Sequence, residues 1–184
     1  MNKVKGTMLL MIVKSIKADR SKKGKYDQLL SEKGKEFLQQ RILSASWYPM
    51  GYYRECFDAL CLVEAKNDPK TLIKWGYLEG KRWLTTIYKS TVFKGDLHQA
   101  IEKYTRFHDM LFNFGKIVPS FNSGTELEVT YMDIPRDWKN WYYTALGWAM
   151  VFIELCIDKK ADYTFLNKSW VNGGWTKIKF SWTY

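Results

Sequence analysis

The sequence predicts an α+β fold with a helical N-terminal half followed by a four-stranded antiparallel sheet, in the order β-hairpin, buried helix, β-hairpin. Three observations support this prediction. Apolar residues recur at helical spacing in four segments before Gly115, and they alternate with polar residues after it. Between the two alternating regions, residues 138–158 are apolar nearly all round, which is typical of a helix buried on every side.

Composition indicates a folded globular chain. Its 184 residues are 46% hydrophobic and 17% aromatic, which excludes intrinsic disorder and predicts a single domain over residues 1–184. The apolar run Met8–Val13 is too short to span a bilayer. Lys14 ends that run without a small-residue cleavage site, so we expect no secretory signal.

The first elements follow from apolar spacing and from breakers. Residues 4–16 fit a strand, a helix, or one followed by the other. After the polar stretch 21–25, helical spacing predicts a helix over 26–43. A helix cannot continue through residues 44–49, because Pro49 disfavours helical geometry at the residue before it.

Three further helices are predicted. The second covers 50–65, and the third runs from Pro69 to about residue 88, with Asp68 as its N-cap. Gly76 and Gly80 lie on one face of the third helix, where close approach of another backbone would explain them. Asp96 caps the fourth helix, which ends before Gly115.

The C-terminal half predicts two hairpins around the buried helix. Strands over 116–121 and 125–133 flank Asn122–Gly124, and strands over 161–169 and 175–184 flank Asn172–Gly174. We expect the sheet to contain residues 125–133, 161–169 and 175–183, with 138–157 buried against it.

Enzymatic and metal-binding motifs are absent. The sequence has no GxxxxGK, GxGxxG, HExxH or GxSxG pattern. The two histidines, His98 and His108, are ten residues apart on one predicted helix and face different directions, so a two-histidine metal site is not expected. Cys56, Cys61 and Cys156 are interpreted as buried reduced thiols of a cytoplasmic protein. We expect no catalytic residues, no metal and no cofactor, and an enzyme is the less favoured class.

Charge is concentrated at the N-terminus. The chain carries +10 in total, and residues 1–25 hold eight basic residues and one acidic residue. This basic segment attracts anions, including nucleic acid and anionic lipid. The same pattern is typical of a solvated helix end and loop, so we expect these six side chains to be solvated: Lys14, Lys17, Arg20, Lys22, Lys23 and Lys25.

The order of elements and a few local patterns resemble known domains. The patterns are Ser46–Pro49 followed by Tyr53, the step Gly76–Gly80, and the late Gly147, Glu154, Gly173–Trp175 and Phe180–Trp182. The first two patterns are similar to an uncharacterised family named for its abundance in myxobacteria. The whole arrangement resembles the domain of haem-NO-binding proteins, 4-vinyl-reductase-type domains and the Bet3-like subunits of the TRAPP tethering complex, and the late residues are similar to the C-terminal half of these domains.

The resemblance implies a fold that encloses an apolar ligand or lipid chain, and it does not imply haem here. The haem-binding branch has a proximal histidine followed by a Tyr-x-Ser-x-Arg motif that holds the haem propionates. In this chain the segment Tyr88–Val92 has Val where the motif has Arg, and it precedes both histidines. Haem is therefore not expected.

The functional hypothesis is a non-enzymatic sensory or signalling module that binds a small hydrophobic molecule or a protein partner. Aromatic residues and glycines on helices that should converge are the candidate ligand-binding residues: Trp75, Gly76, Gly80, Trp83, Phe107, Trp148 and Phe152. Gly76 and Gly80 would leave a groove for such a ligand on the third helix. The same residues are also typical of an ordinary core. Because related domains pair through helices, a homodimer is expected. The alternative function is binding of nucleic acid or a membrane surface through residues 1–25.

Overall fold

The computed structural model describes residues 1–183, and they form two compact units. The first unit contains residues 1–68 and 110–114, and the second contains 69–109 and the described residues from 115 onward. Tyr184, the last residue of the predicted final strand, lies outside the described residues. A single domain over the whole chain stays a prediction, and each unit is described by itself.

The first unit opens with a strand followed by a helix, which resolves the open prediction for residues 4–16. β1 (Lys3–Lys5) leads directly into α1 (Gly6–Ala18). β1 pairs antiparallel with β2 (Trp47–Pro49), forming a two-stranded sheet that the sequence analysis did not predict. The strand β2 fits the expectation that a helix cannot reach Pro49.

The single helix predicted over 26–43 is wrong. The chain forms α2 (Lys23–Leu29) and α3 (Glu32–Gln39), separated at Leu30 and Ser31. The Ser31 side chain accepts a hydrogen bond from the Gly34 N–H at 3.1 Å, which starts a new helix. The following helix, α4 (Met50–Ala65), has the predicted bounds.

The helices of the second unit begin at the predicted residues. α5 (Pro69–Thr85) ends three residues before the predicted end, and a 3₁₀ turn over Lys89–Thr91 follows. α6 (Leu97–Leu111) is capped by Asp96, whose carboxylate accepts from the Gln99 N–H at 2.9 Å. The capping prediction is confirmed.

The second unit contains an antiparallel sheet of four strands, which are β3 (Lys116–Ser123), β4 (Glu126–Met132), β5 (Asp162–Asn167) and β6 (Thr176–Ser181). Their order in the sheet is β3-β4-β6-β5. A helix, α7 (Lys139–Ile157), separates β4 from β5, and a short helix, α8 (Ser169–Asn172), interrupts the predicted second hairpin.

One face of the sheet is buried and the other faces solvent. On the inner face, alternate residues of β4 and β6 are fully buried, among them Leu127, Tyr131 and Phe180. On the outer face, two Lys–Glu pairs join β6 to β4, at 3.2 Å for Lys179–Glu126 and 3.4 Å for Lys177–Glu128. Glu126 and Glu128, on the solvent-facing side of β4, are therefore both paired with lysines of β6.

The helix α7 is buried, as predicted from its apolar circumference. Phe152, Ile153, Leu146 and Tyr142 are each 0% exposed. The Tyr142 ring meets the Tyr131 ring of β4 edge to face, with centroids 6.0 Å apart, so α7 packs on the inner face of the sheet. Among residues 1–183, no helix is long and apolar enough to cross a membrane.

Candidate functional site

The predicted site residues centre on the crossing of α5 and α7, where two glycines bring the helix backbones into contact. A Cβ atom built on Gly76 would lie 2.0 Å from the Thr144 carbonyl oxygen. One built on Gly147 would lie 2.1 Å from the Ile73 carbonyl oxygen. Both positions therefore exclude every side chain, which confirms that close approach of a backbone explains Gly76.

An open groove along Gly76 and Gly80 was expected on α5, and that expectation is wrong. The α7 backbone occupies the space at Gly76. At Gly80 the space is filled by side chains, because a Cβ there would lie 2.8 Å from Val151 Cγ1 and 3.1 Å from the Trp148 ring. These glycines allow two helices to pack closely, and this packing removes the groove that suggested ligand contact.

Three of the predicted aromatic residues do come together, with one residue that the prediction missed. We call Trp83, Tyr88, Phe107 and Trp148 the four-ring cluster. Trp83 packs on Trp148 with centroids 5.6 Å apart and on Tyr88 at the same distance. Phe107 contacts Tyr88 at 4.4 Å and Trp148 at 6.0 Å. Trp83 and Phe107 are buried, whereas Tyr88 and Trp148 are half-buried, so the cluster reaches the surface.

The remaining two aromatic candidates lie apart from this cluster. Phe152 is fully buried and packs on Tyr104 of α6, with ring centroids 4.6 Å apart. Trp75 is half-buried on α5, one residue before the helix crossing. Phe152 is thus a core residue by its surroundings, and the ligand-binding role of all the aromatic candidates stays a prediction.

Glu154 is a buried carboxylate of α7 with three donors. Its side chain is 9% exposed and accepts hydrogen bonds from Tyr77 Oη at 2.5 Å, Lys160 Nζ at 2.9 Å and the Ala161 N–H at 3.3 Å. Burial favours a higher pKa of Glu154, but these donors outweigh it and hold the pKa below its ordinary value. A glutamate in an apolar helix more often lies at the polar edge of that helix, whereas Glu154 is buried with Tyr77, Lys160 and Ala161 as partners.

Tyr131 carries a buried polar atom that the sequence analysis did not single out. The residue is 0% exposed, and its hydroxyl has no hydrogen-bond partner among the described residues. Burial raises the pKa of Tyr131 well above its ordinary value, so the hydroxyl stays protonated. Alternation in β4 predicted an inward side chain here, but only the three-dimensional packing reveals that the oxygen is unpaired.

The thiols and histidines show no activated nucleophile or metal cluster. Cys56, Cys61 and Cys156 are buried and free, as predicted, and burial raises the pKa of Cys156 to about 11 and of Cys56 to about 12. His98 is exposed and His108 is 5% exposed, in agreement with their different helix faces. In the part of the chain that the structure describes, no cluster of His, Cys, Asp or Glu could hold a metal ion.

The basic N-terminal residues are not all solvated, which corrects the prediction for Lys22. Its ammonium contacts Glu64 at 2.6 Å and Asp19 at 3.4 Å, and Glu64 also accepts from Tyr26 Oη at 2.7 Å. Lys23 forms an ion pair with Asp27 in the same helix. The hydrogen bond from Lys22 outweighs burial and holds the pKa of Glu64 below its ordinary value. The other four side chains, Lys14, Lys17, Arg20 and Lys25, are exposed as expected.

Neutralising basic residues should therefore separate them into two groups. We expect the combined change of Lys14, Lys17, Arg20 and Lys25 to Gln to leave the melting temperature nearly unchanged, since exposed charges alter stability by about 0.5 kcal/mol or less. Lys22→Met should lower the melting temperature, because it removes the cation that Glu64 faces. Thermal unfolding by circular dichroism measures both, and equal effects of the two variants would contradict this account.

The fold is that of H-NOX domains. An H-NOX structure described as "Probing the function of heme distortion in the H-NOX family" matches with a TM-score of 0.66 and 14% identity over 98% of this chain and 95% of its own. A mutant of T. Tengcongensis H-NOX gives 0.62 and 15% over 98% of both chains. An Fe(II) unliganded H-NOX mutant from K. algicida gives 0.62 and 14% over 98% of this chain and 97% of its own.

The comparisons at the level of sequence find no match. No protein-family profile matches the chain, and no curated protein matches it significantly. Identity of 14–15% to the H-NOX structures shows a shared fold alone. The resemblance to haem-NO-binding domains is therefore confirmed for the fold, and membership of the myxobacterial family stays a prediction.

Haem is named for one of these structures, and both histidines of this chain pack against aromatic rings. Haem iron is held by His, Cys, Met or Tyr, and Cys and Tyr bind as anions. The His98 ring is stacked on Phe121 with centroids 3.7 Å apart. The His108 ring is enclosed in the second unit, edge-on to Trp141, with its Nε2 atom 3.3 Å from the position of a Cβ on Gly115. The thiols, like the hydroxyl of Tyr131, are held in their neutral forms.

Proposed function

We propose that this chain is a non-enzymatic sensory or regulatory module that binds a small hydrophobic ligand at the four-ring cluster and works without haem. The observation that carries the proposal is that three separate helices and one turn supply aromatic rings to one cluster that reaches the surface. Ligand pockets are lined mostly by apolar and aromatic side chains with a few polar groups.

The fold supports this proposal. The matching structures are H-NOX domains, and one of them is described by its haem, a largely apolar ligand. This chain retains the H-NOX fold over nearly its whole length, while its Tyr88–Val92 segment has Val where the haem-propionate motif has Arg. A module that keeps this fold without that arginine is suited to a different hydrophobic molecule.

A small molecule is favoured over a protein partner at this site. Trp83 and Phe107 are buried, so only the edges of Tyr88 and Trp148 are open to contact. Protein interfaces of ordinary size bury about 800 Å² on each partner, far more than two ring edges offer. A protein partner elsewhere, a homodimer and a cytoplasmic location stay predictions.

A neutral fluorescent probe tests the proposed site. We expect 1-aminoanthracene, which carries no charge for the +10 chain to attract, to bind the wild-type protein at one site. Trp148→Ala should weaken binding at least ten-fold, because it removes the half-buried ring of the cluster. Trp170→Ala is the matched control, since Trp170 is also half-buried but packs with Tyr142 and Phe165.

The outcomes of the probe experiment are distinct. Loss of binding in Trp148→Ala with retention in Trp170→Ala would support the four-ring cluster as the site. No binding by the wild-type protein, or equal losses in both variants, would overturn the proposal. Melting temperatures of all three proteins show that each is folded at the temperature of the titration.

Haem should not occupy the protein. After expression with added haemin, we expect the purified protein to show no stoichiometric Soret band, because the Tyr88–Val92 segment lacks the arginine of the haem-propionate motif and precedes both histidines. Absorption spectroscopy measures the Soret band in the wild type and in the reference variants His98→Ala and His108→Ala. A band at one haem per chain that either substitution abolishes would show that the donor argument is wrong.

A further inference from the structure

The first unit presents an exposed corner built from two chain segments. We call Lys3, Lys5, Arg41, Leu43 and Trp47 the basic-apolar corner. β1 pairs with β2 so that Lys5 lies opposite Trp47. The loop of residues 43–46, which begins with Leu43, leads into β2. Leu43 is 50% exposed and Trp47 is 38% exposed. The Lys5 ammonium lies over the Trp47 ring, Lys3 is exposed on the same strand as Lys5, and Arg41 is exposed two residues before Leu43.

The loop that carries Leu43 and Trp47 is held rigidly. The Ser44 and Ser46 carbonyls accept from the Thr7 and Gly6 N–H groups at 3.1 and 2.8 Å, which ties the loop to the first turn of α1. A Cβ on Gly6 would lie 2.0 Å from the Leu43 carbonyl oxygen, so only glycine allows this contact. The exposed apolar side chains are therefore presented by a fixed backbone.

The charge of the corner has one sign. Residues 1–18 and 37–53 contain no Asp or Glu. Lys3, Lys5 and Arg41 form no ion pair among the described residues, in contrast to Lys22 and Lys23. Lys5 donates to the Ala45 carbonyl at 3.0 Å and lies 4.4 Å from the centre of the Trp47 ring. No carboxylate of residues 1–183 forms an ion pair with its positive charge.

We propose that the basic-apolar corner docks on the surface of an anionic lipid bilayer, a function separate from ligand binding in the second unit. Tryptophan concentrates at the membrane–water interface, and an exposed leucine beside it gains by entering the acyl boundary. Each nearby Lys or Arg attracts anionic headgroups by about 1 kcal/mol, or about five-fold in affinity. The cations and the apolar pair of this corner combine these two attractions.

Nucleic acid fits the corner less well. Single-stranded nucleic acids stack their bases on aromatic faces. Here the Lys5 ammonium lies over the Trp47 ring and covers one face of it. Leu43 is aliphatic and offers no stacking surface, whereas an acyl boundary accepts it directly.

Vesicle binding tests the proposal on the full chain. We expect the protein to co-sediment with phosphatidylcholine vesicles that contain phosphatidylserine and not with phosphatidylcholine alone. Lys3→Glu/Arg41→Glu should weaken binding by about 25-fold or more, which is five-fold for each lost cation. Leu43→Asp should also weaken it, because it places a carboxylate at the exposed tip of the loop.

The matched control is Lys14→Glu/Lys17→Glu, which makes the same change of charge on the exposed side of α1. Retention of vesicle binding by this control, with loss in the corner variants, supports the corner. Equal losses would show that net charge alone drives binding and would overturn the proposal. The proposal would also be overturned if the protein did not bind anionic vesicles. It would be overturned as well if the protein bound a single-stranded oligonucleotide more tightly than it bound anionic vesicles. Melting temperatures establish that each variant is folded.

Discussion

Gly147→Ala is expected to lower the free energy of unfolding by about 3 kcal/mol, the upper end of the range for overpacking a core. The added methyl group would lie 2.1 Å from the Ile73 carbonyl oxygen and 2.6 Å from the Tyr77 nitrogen. Both are backbone atoms, so α5 and α7 must separate to admit it. The better helix propensity of alanine, about 1 kcal/mol, offsets only part of this cost.

Gly51→Ala is the matched control for this prediction. Gly51 also lies in a helix, α4, but a Cβ there meets no atom within 4 Å. We expect this substitution to leave stability unchanged or to increase it. Chemical denaturation of both variants measures the difference, and a Gly147→Ala protein as stable as the wild type would contradict the backbone contact described at the helix crossing.

Phe152→Ala is expected to cost about 3–5 kcal/mol, as large-to-small changes at filled core positions do. Phe152 is 0% exposed and packs against Tyr104 at 4.6 Å between ring centroids. Removing it leaves a cavity between α6 and α7 that the surrounding rings fill only partly. Chemical denaturation measures the loss.

Phe152→Leu provides the control, because it retains most of the side-chain volume and should cost less than about 1.5 kcal/mol. If Phe152 instead lined an open ligand space, the loss in Phe152→Ala would be small. Binding of 1-aminoanthracene would then increase in that variant, and the ligand site would have to be moved from the four-ring cluster to Phe152.

Much of the second unit could be predicted from periodicity and caps. The starts of α5 and α6 follow from Pro69 and Asp96, whose effects act within one helical turn. The alternation in β4 and β6 gave the buried face of the sheet, because side-chain direction has a period of two. Such signals are local, so the sequence alone carries them.

The errors arose where a distant contact decides the local structure. A continuous helix over residues 26–43 satisfies the apolar spacing, but the Glu55 carboxylate of α4 accepts from the Ser31 N–H and fills the space beside Gly34. That contact joins residues 24 positions apart. The pairing of β1 with β2 likewise joins segments more than forty residues apart, and neither strand is long enough to show alternation.

The sequence predicted three of the four residues in the four-ring cluster, but it did not predict how they are arranged. Helical spacing identified Trp83, Phe107 and Trp148 as residues on converging helices. It could not show that α7 would fill the groove at Gly76, because two facing glycine positions on different helices are needed for such a crossing. Tyr88 was missed because the helix predicted to reach it ends at Thr85, and the turn that follows brings its ring against Phe107.

Native mass spectrometry of the protein purified from cells grown with added haemin shows directly which molecule the protein carries. We expect the mass of the chain plus one small molecule that is not a porphyrin, released on unfolding, and loss of that molecule in Trp148→Ala but not in Trp170→Ala. A spectrum of the chain carrying one haem, or of the bare chain alone, would contradict this expectation.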